Sequence, residues 1–111
     1  MTKAVFTVRD GRIVEVAVEG HTGYAAAGED IVCAAVSAVI QGAVLGVMEV
    51  AGAEVAYATN ERKGTLRMAL SDGQAEQVTH DAEVILRTAL KALEDIAEGY
   101  SQFVKVEVKE L

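Results

Sequence analysis

Three features of the 111-residue chain predict an α+β fold. Two short β-branched runs flank an Asp10-Gly11 pair near the start. Two stretches of helical length interrupt the strand-like segments, one apolar almost all round and one striped. The closing segment FVKVEVKEL alternates cleanly. Together they give the order ββαββαβ, a mostly antiparallel five-stranded sheet with two helices. The length suits one domain over residues 1–111 and is too short for two.

The first hairpin comes from AVFTVRDGRIVEVAVEG. Residues 4–8 are apolar and β-branched, and Asp-Gly is a strong two-residue turn signal. In residues 13–19, Ile13, Val14, Val16 and Val18 alternate against Glu15 and Glu19. The first helix is expected from Asp30, as N-cap, to Ala51, with Gly52 as its stop. It is apolar almost all round, so it needs cover on more than one side. AEVAYAT and GTLRMAL around the polar turn NERKG give a second hairpin. SDGQAEQ leads into a second helix over residues 75–99, ended by Gly99. Its inward stripe is Val78, Ala82, Ile85, Leu86, Ala89, Leu90, Leu93 and Ile96.

Composition narrows the function. About half the residues are apolar and Trp is absent, so the core must be built from Val, Ala, Leu and Ile. A net charge of −7 disfavours a nucleic-acid backbone as direct partner. A single cysteine forms no internal disulfide and fits a reducing cytosol. The start, MTKAVFTVRD, has no apolar h-region, so no signal peptide is expected. The stretch from Ile31 to Val50 is apolar, but its centre holds Ala, Ser, Gln and Gly, and Glu49 lies near its end. A buried core helix is expected there, with no membrane partner.

The chemistry concentrates in GHTGYAAAGEDIVCAAVS, residues 20–37. Cys33 follows the expected cap Asp30 by three residues, in the first turn of the helix, where unpaired N–H groups and the helix dipole favour an anion. Such a setting makes thiolate available and could hold an oxyanion. His21 closes the second strand at a glycine and could turn towards that helix end. A Cys–His pair is the minimum for nucleophilic catalysis. Between them, Gly23, Gly28 and three alanines make a loop poor in anchoring side chains. Residues 22–29 are expected to be mobile in the free protein and to order over a bound peptide, because ordering them returns little burial. The plainer readings stand beside these. A lone cysteine amid apolar residues is usually a small core residue. A histidine at a strand end is commonly a turn residue, and Asp30 needs no role beyond capping. Ser37, one turn after Cys33, would bond the carbonyl one turn back.

These residues also carry a resemblance. Gly20-His21, Gly28 and Asp30-Ile31-Val32-Cys33-Ala34-Ala35-Val36-Ser37 closely resemble the signature of the ribosomal-processing cysteine protease family, Prp. Its pattern is Gly-His, a variable small-residue loop, then Gly-x-Asp-Ile-Val-Cys-Ala-x-x-Ser, with the same His-to-Cys spacing. The element order fits that family's small α+β fold over the whole chain, although only residues 20–37 are specific. Members remove a short N-terminal extension from ribosomal protein number twenty-seven of the large subunit, in Firmicutes and related bacteria. The resemblance implies Cys33 as nucleophile, His21 as base, and a cytoplasmic homodimer. It also implies an apolar groove, since the cleaved motif is rich in Phe and Leu. Asp30 and Ser37 match the pattern as supporting positions; Asp30 either caps the helix alone or also orients His21, and Ser37 leans structural.

Other motifs are weaker. His80 reads as a surface residue and NERKG as a solvated turn. Two histidines and one cysteine without repeated spacing make a poor zinc site, so neither metal nor cofactor is expected. Two rival readings remain: a non-catalytic ribosome-associated binding protein on the same scaffold, and a single-cysteine redox or sensor protein. Neither needs an imidazole at position 21.

Overall fold

Asp10 and Gly11 both take positive φ, 53° and 79°. That is the type I′ geometry whose twist matches right-handed strands, so β1 (Thr2–Arg9) and β2 (Arg12–Glu19) pair antiparallel as the sequence predicts. The computed structural model describes residues 1–20 and 29–111, Glu29 and Asp30 through their backbone alone. The second hairpin, β3 (Val55–Asn60) and β4 (Thr65–Leu70), turns through the exposed NERKG segment, where Asn60 Oδ1 accepts the Lys63 N–H at 3.0 Å. The last strand is β5 (Val104–Glu110).

Helix boundaries depart from the sequence reading in three places. The first helix, α1 (Glu29–Leu45), starts one residue early, so Asp30 lies inside its first turn and is not the cap. A glutamate at the start is a good helix former and favourable to the dipole. At its other end the α-helix stops at Leu45 and continues as one π-helical turn, Gly46–Val50, with the Ala51 N–H donating to the Gly46 carbonyl at 2.8 Å. Gly52 then stops the chain at φ 70°, as expected. The second helix, α2 (Glu76–Gly99), starts one residue later than expected, with Ala75 as its N-cap, and ends at Gly99 as expected; Tyr100, at φ −136°, is the C-cap and donates its N–H to the Ile96 carbonyl. Gly46 has a packing role, because a Cβ there would stand 3.3 Å from Ile85 Cγ2 on α2.

The sheet order is β3-β4-β2-β1-β5. Every neighbouring pair is antiparallel except β1 and β5, which are parallel. The helices therefore join parallel strands, α1 from β2 to β3 and α2 from β4 to β5. The two crossovers run opposite ways along the sheet from strands of opposite polarity, so the right-handed rule places both helices on one face. On that face Ala4, Phe6, Val16 and Met68 pack against Val36, Ile40 and Val47 of the first helical segment and Leu86 and Leu93 of α2. The expected stripe of α2 is this inward face. Leu86 is fully buried, so Leu86→Ala should lower unfolding stability by about 2–5 kcal/mol, measured by urea denaturation.

The opposite face is polar. Lys3 and Lys105 flank Glu107 at 3.5 and 3.2 Å, and Arg67 reaches Glu15 at 2.6 Å. The β1–β2 turn is tied to α2 instead: Arg12 donates to both carboxylate oxygens of Glu76, at 3.1 and 2.5 Å, and the Ile13 N–H donates to Glu83. The hydrogen bond and charge of Arg12 hold the Glu76 carboxyl below its ordinary value of 4.5. A lowered carboxyl pKa in the folded state gives stability that is present above the unfolded value and lost as pH falls through the folded one. The pair is exposed, so salt screens it. Acid unfolding followed at low salt should therefore show a smaller loss below pH 4.5 in Arg12→Gln than in the parent chain.

Candidate active site

The stretch 20–37 begins at the end of β2. Gly20 takes φ 96°, and a Cβ there would overlap the carbonyl oxygen of Met1. Only glycine lets the chain pass so close to the start of β1. The residue beyond that carbonyl is Thr2, and Thr2 touches the cysteine: Oγ1 lies 3.0 Å from Cys33 Sγ. Both residues are buried, Thr2 at 1% exposure and Cys33 at 4%. The backbone thus leaves β2, one residue before His21, beside the side chain that contacts the thiol.

His21, Gly23 and Gly28 lie outside the described residues, as does the loop expected to be mobile, and so does the side chain of Asp30. Cys33 is the fifth residue of α1, at the start of its second turn and not in the first. The unpaired N–H groups of that helix end belong to residues ahead of it, which moves any oxyanion contact from these amides one turn upstream of the sulfur. Ser37 follows Cys33 on the same face, and its Oγ accepts from Gln41 Nε2 at 2.7 Å, forward by one turn where the sequence suggests the carbonyl one turn back.

Cys33 sits at the base of a groove of about 480 Å³ between α1 and the β3–β4 hairpin. Val18, Val36, Ile40 and Leu66 contribute apolar lining. Tyr57 and Asn60 stand on the hairpin side, and Ser37 on the helix side. A thiol buried in the wall of a groove, an apolar floor and the edge strand β3 beside it suit an extended peptide, with strand pairing for its backbone and a pocket for its side chains. Among the described residues no group of three or more His, Cys, Asp or Glu side chains is placed to hold a metal. His80 is exposed, with Nδ1 3.3 Å from Asp81 Oδ1.

The residue that sequence reasoning missed is Thr2. Its signal was present: it stands in phase with Ala4, Phe6 and Val8, the core-facing set of β1, and a hydroxyl in that phase must find a partner.

A small α+β domain with its one thiol at the base of a groove, near a helix start, has the layout of a cysteine hydrolase. The family model described as cysteine protease Prp matches residues 1–105, and the chain belongs to that family and is a cysteine protease. The ribosomal processing cysteine protease Prp of Staphylococcus aureus strain Mu50 is 29% identical over 104 residues, 93% of this chain and 94% of that protein. The crystal structure of the essential S. aureus ribosomal processing protease Prp in complex with a substrate peptide superposes with a TM-score of 0.87 at 27% identity, covering 98% of this chain and 100% of that one. The same S. aureus protease with a covalently linked product peptide gives 0.81 at 26% identity and the same coverage.

Proposed function

We propose that this chain is a ribosomal-processing endopeptidase that removes the N-terminal extension of large-subunit ribosomal protein number twenty-seven, with Cys33 as nucleophile and His21 as general base. The observation that carries the reading is the placement of the chain's one thiol at the base of a peptide-sized groove in a member of this protease family. Relatives named for ribosomal processing, and one S. aureus structure holding a substrate peptide, support the substrate class.

In the proposed mechanism His21 takes the thiol proton and the sulfur attacks the scissile carbonyl. A tetrahedral oxyanion forms and collapses, and the proton passes from the imidazolium to the leaving amine. Water, deprotonated by the same imidazole, then hydrolyses the thioester and frees the new carboxylate. Specificity would come from the apolar lining of Val18, Val36, Ile40 and Leu66, which suits the Phe- and Leu-rich motif that the family resemblance implies. The net charge of −7 suits a basic ribosomal protein at long range without choosing the bond. The test is incubation with the extended ribosomal protein from the same genome, followed by mass spectrometry. A single new N-terminus after the extension is expected; an intact substrate at long times would refute the assignment.

The same reading makes the protein a cytoplasmic homodimer. Ile31, Leu45 and Val50 of the first helical segment are 74%, 56% and 83% exposed, apolar side chains that one copy leaves open. A two-fold, self-complementary contact would bury them. That segment is also long and apolar enough to cross a membrane, but its inward face lies in the core. Sedimentation at micromolar concentration should give twice the chain mass, and a clean monomer would remove the dimer from the proposal.

A further inference from the structure

We infer that Thr2 is a positioning residue for the nucleophile: its hydroxyl aims the Cys33 sulfur in the free protein and donates a hydrogen bond to the thiolate during attack. The inference rests on the reading of Cys33 as nucleophile and adds a residue that the signature over residues 20–37 does not contain. Thr2 Oγ1 is 3.0 Å from Cys33 Sγ, and Thr2 and Cys33 both line the groove.

The backbone that carries the hydroxyl is held by the strands on both sides. The Thr2 N–H donates to the Phe103 carbonyl at 2.8 Å, and Thr2 pairs with Val104 on β5. Its neighbour Lys3 pairs with Glu19 on β2. A β-branched side chain on a paired strand has few χ1 choices, so the strand fixes where the oxygen points. The position faces the core, where an unbonded hydroxyl is costly and valine would pack without that cost. A polar group there is consistent with a role at the sulfur.

The chemistry gives the bond a direction. With a neutral thiol either atom can donate. Once the proton has gone to the base, the sulfur has no hydrogen, and the hydroxyl must be the donor. Hydrogen bonds to an ionised partner are about twice as strong as neutral ones. Thr2 keeps its own proton throughout, so it is neither base nor acid. Its effect is on where the sulfur sits and how well its charge is held, which acts on the chemical step and not on peptide affinity.

The experiment compares Thr2→Val, Thr2→Ser and Cys33→Ala with the parent chain on the extended ribosomal protein, and measures Cys33 alkylation by iodoacetamide. Thr2→Val should lower kcat by about ten- to hundredfold with KM unchanged. It should slow alkylation to a similar degree. Thr2→Ser should restore both to within about threefold, since the hydroxyl returns. Circular dichroism checks folding, and Thr2→Ala supplies a second hydroxyl-free variant should valine overfill the site. Parental kcat in both hydroxyl-free variants would overturn the inference, as would a serine variant as slow as the valine one. If Cys33→Ala is inactive while Thr2→Val is unaffected, only the inference fails. If Cys33→Ala cleaves at the parental rate, the assignment of the nucleophile fails and the inference falls with it.

Discussion

Cys33→Ala is expected to abolish cleavage, a loss on the order of a millionfold in kcat by analogy with removal of the nucleophile in serine hydrolases. Cys33→Ser should be nearly as inactive, because a hydroxyl is a far weaker acid than a thiol and yields almost no oxyanion at neutral pH. The two variants should differ in stability. Alanine leaves the buried Thr2 hydroxyl without the sulfur it contacts, which costs about 1–3 kcal/mol. Serine keeps a hydrogen-bonding atom in place and should unfold close to the parent. Cleavage followed by mass spectrometry, with urea denaturation in parallel, measures both. An alanine variant that cleaves would remove Cys33 from the mechanism. An alanine variant as stable as the parent would show that the Thr2 hydroxyl finds another partner.

The second large effect is expected at Gly20. Its φ of 96° is a backbone region that a residue with a Cβ adopts only at a cost of about 1–2 kcal/mol. The added Cβ would also overlap the Met1 carbonyl oxygen, which must move, and overpacking of that kind costs about 1–3 kcal/mol more. Gly20→Ala should therefore lose about 2–5 kcal/mol of stability. Because Thr2 follows the displaced carbonyl, activity should fall further than the unfolded fraction explains. Gly11→Ala is the control: φ is 79° but nothing lies within 4 Å of the new Cβ, so only the conformational cost of about 1–2 kcal/mol applies. Equal losses in the two variants, read from urea midpoints, would show that the Met1 contact carries no weight.

Much of the fold is legible in the sequence because its signals are local. Asp10-Gly11 demands positive φ, and it has it. The stripe from Val78 to Ile96 has helical period, and that face is the one in the core. Boundaries were less legible. Whether Glu29 or Asp30 opens the helix, and whether the turn at Gly46 is α or π, depends on a residue or two of ladder whose energies nearly balance. Of the site, the sequence marks His21, Asp30, Cys33 and Ser37 together because they lie within one short stretch, and the cysteine does sit on a groove.

What the chain's own sequence determined, then, is the element order, the two hairpin turns and the inward stripe of α2. Each depends on residues a few positions apart, whose steric and hydrophobic preferences act before any long-range contact forms. Tertiary structure alone decided the parallel pairing of β1 with β5, the groove between α1 and the β3–β4 hairpin, and the meeting of Thr2 with Cys33. That contact joins residues 31 positions apart. It exists because α1 crosses the face of the sheet on which the core-facing side chains of β1 point, and no period or propensity along the chain records which helix position will lie over which strand position. The packing of the whole layer sets it.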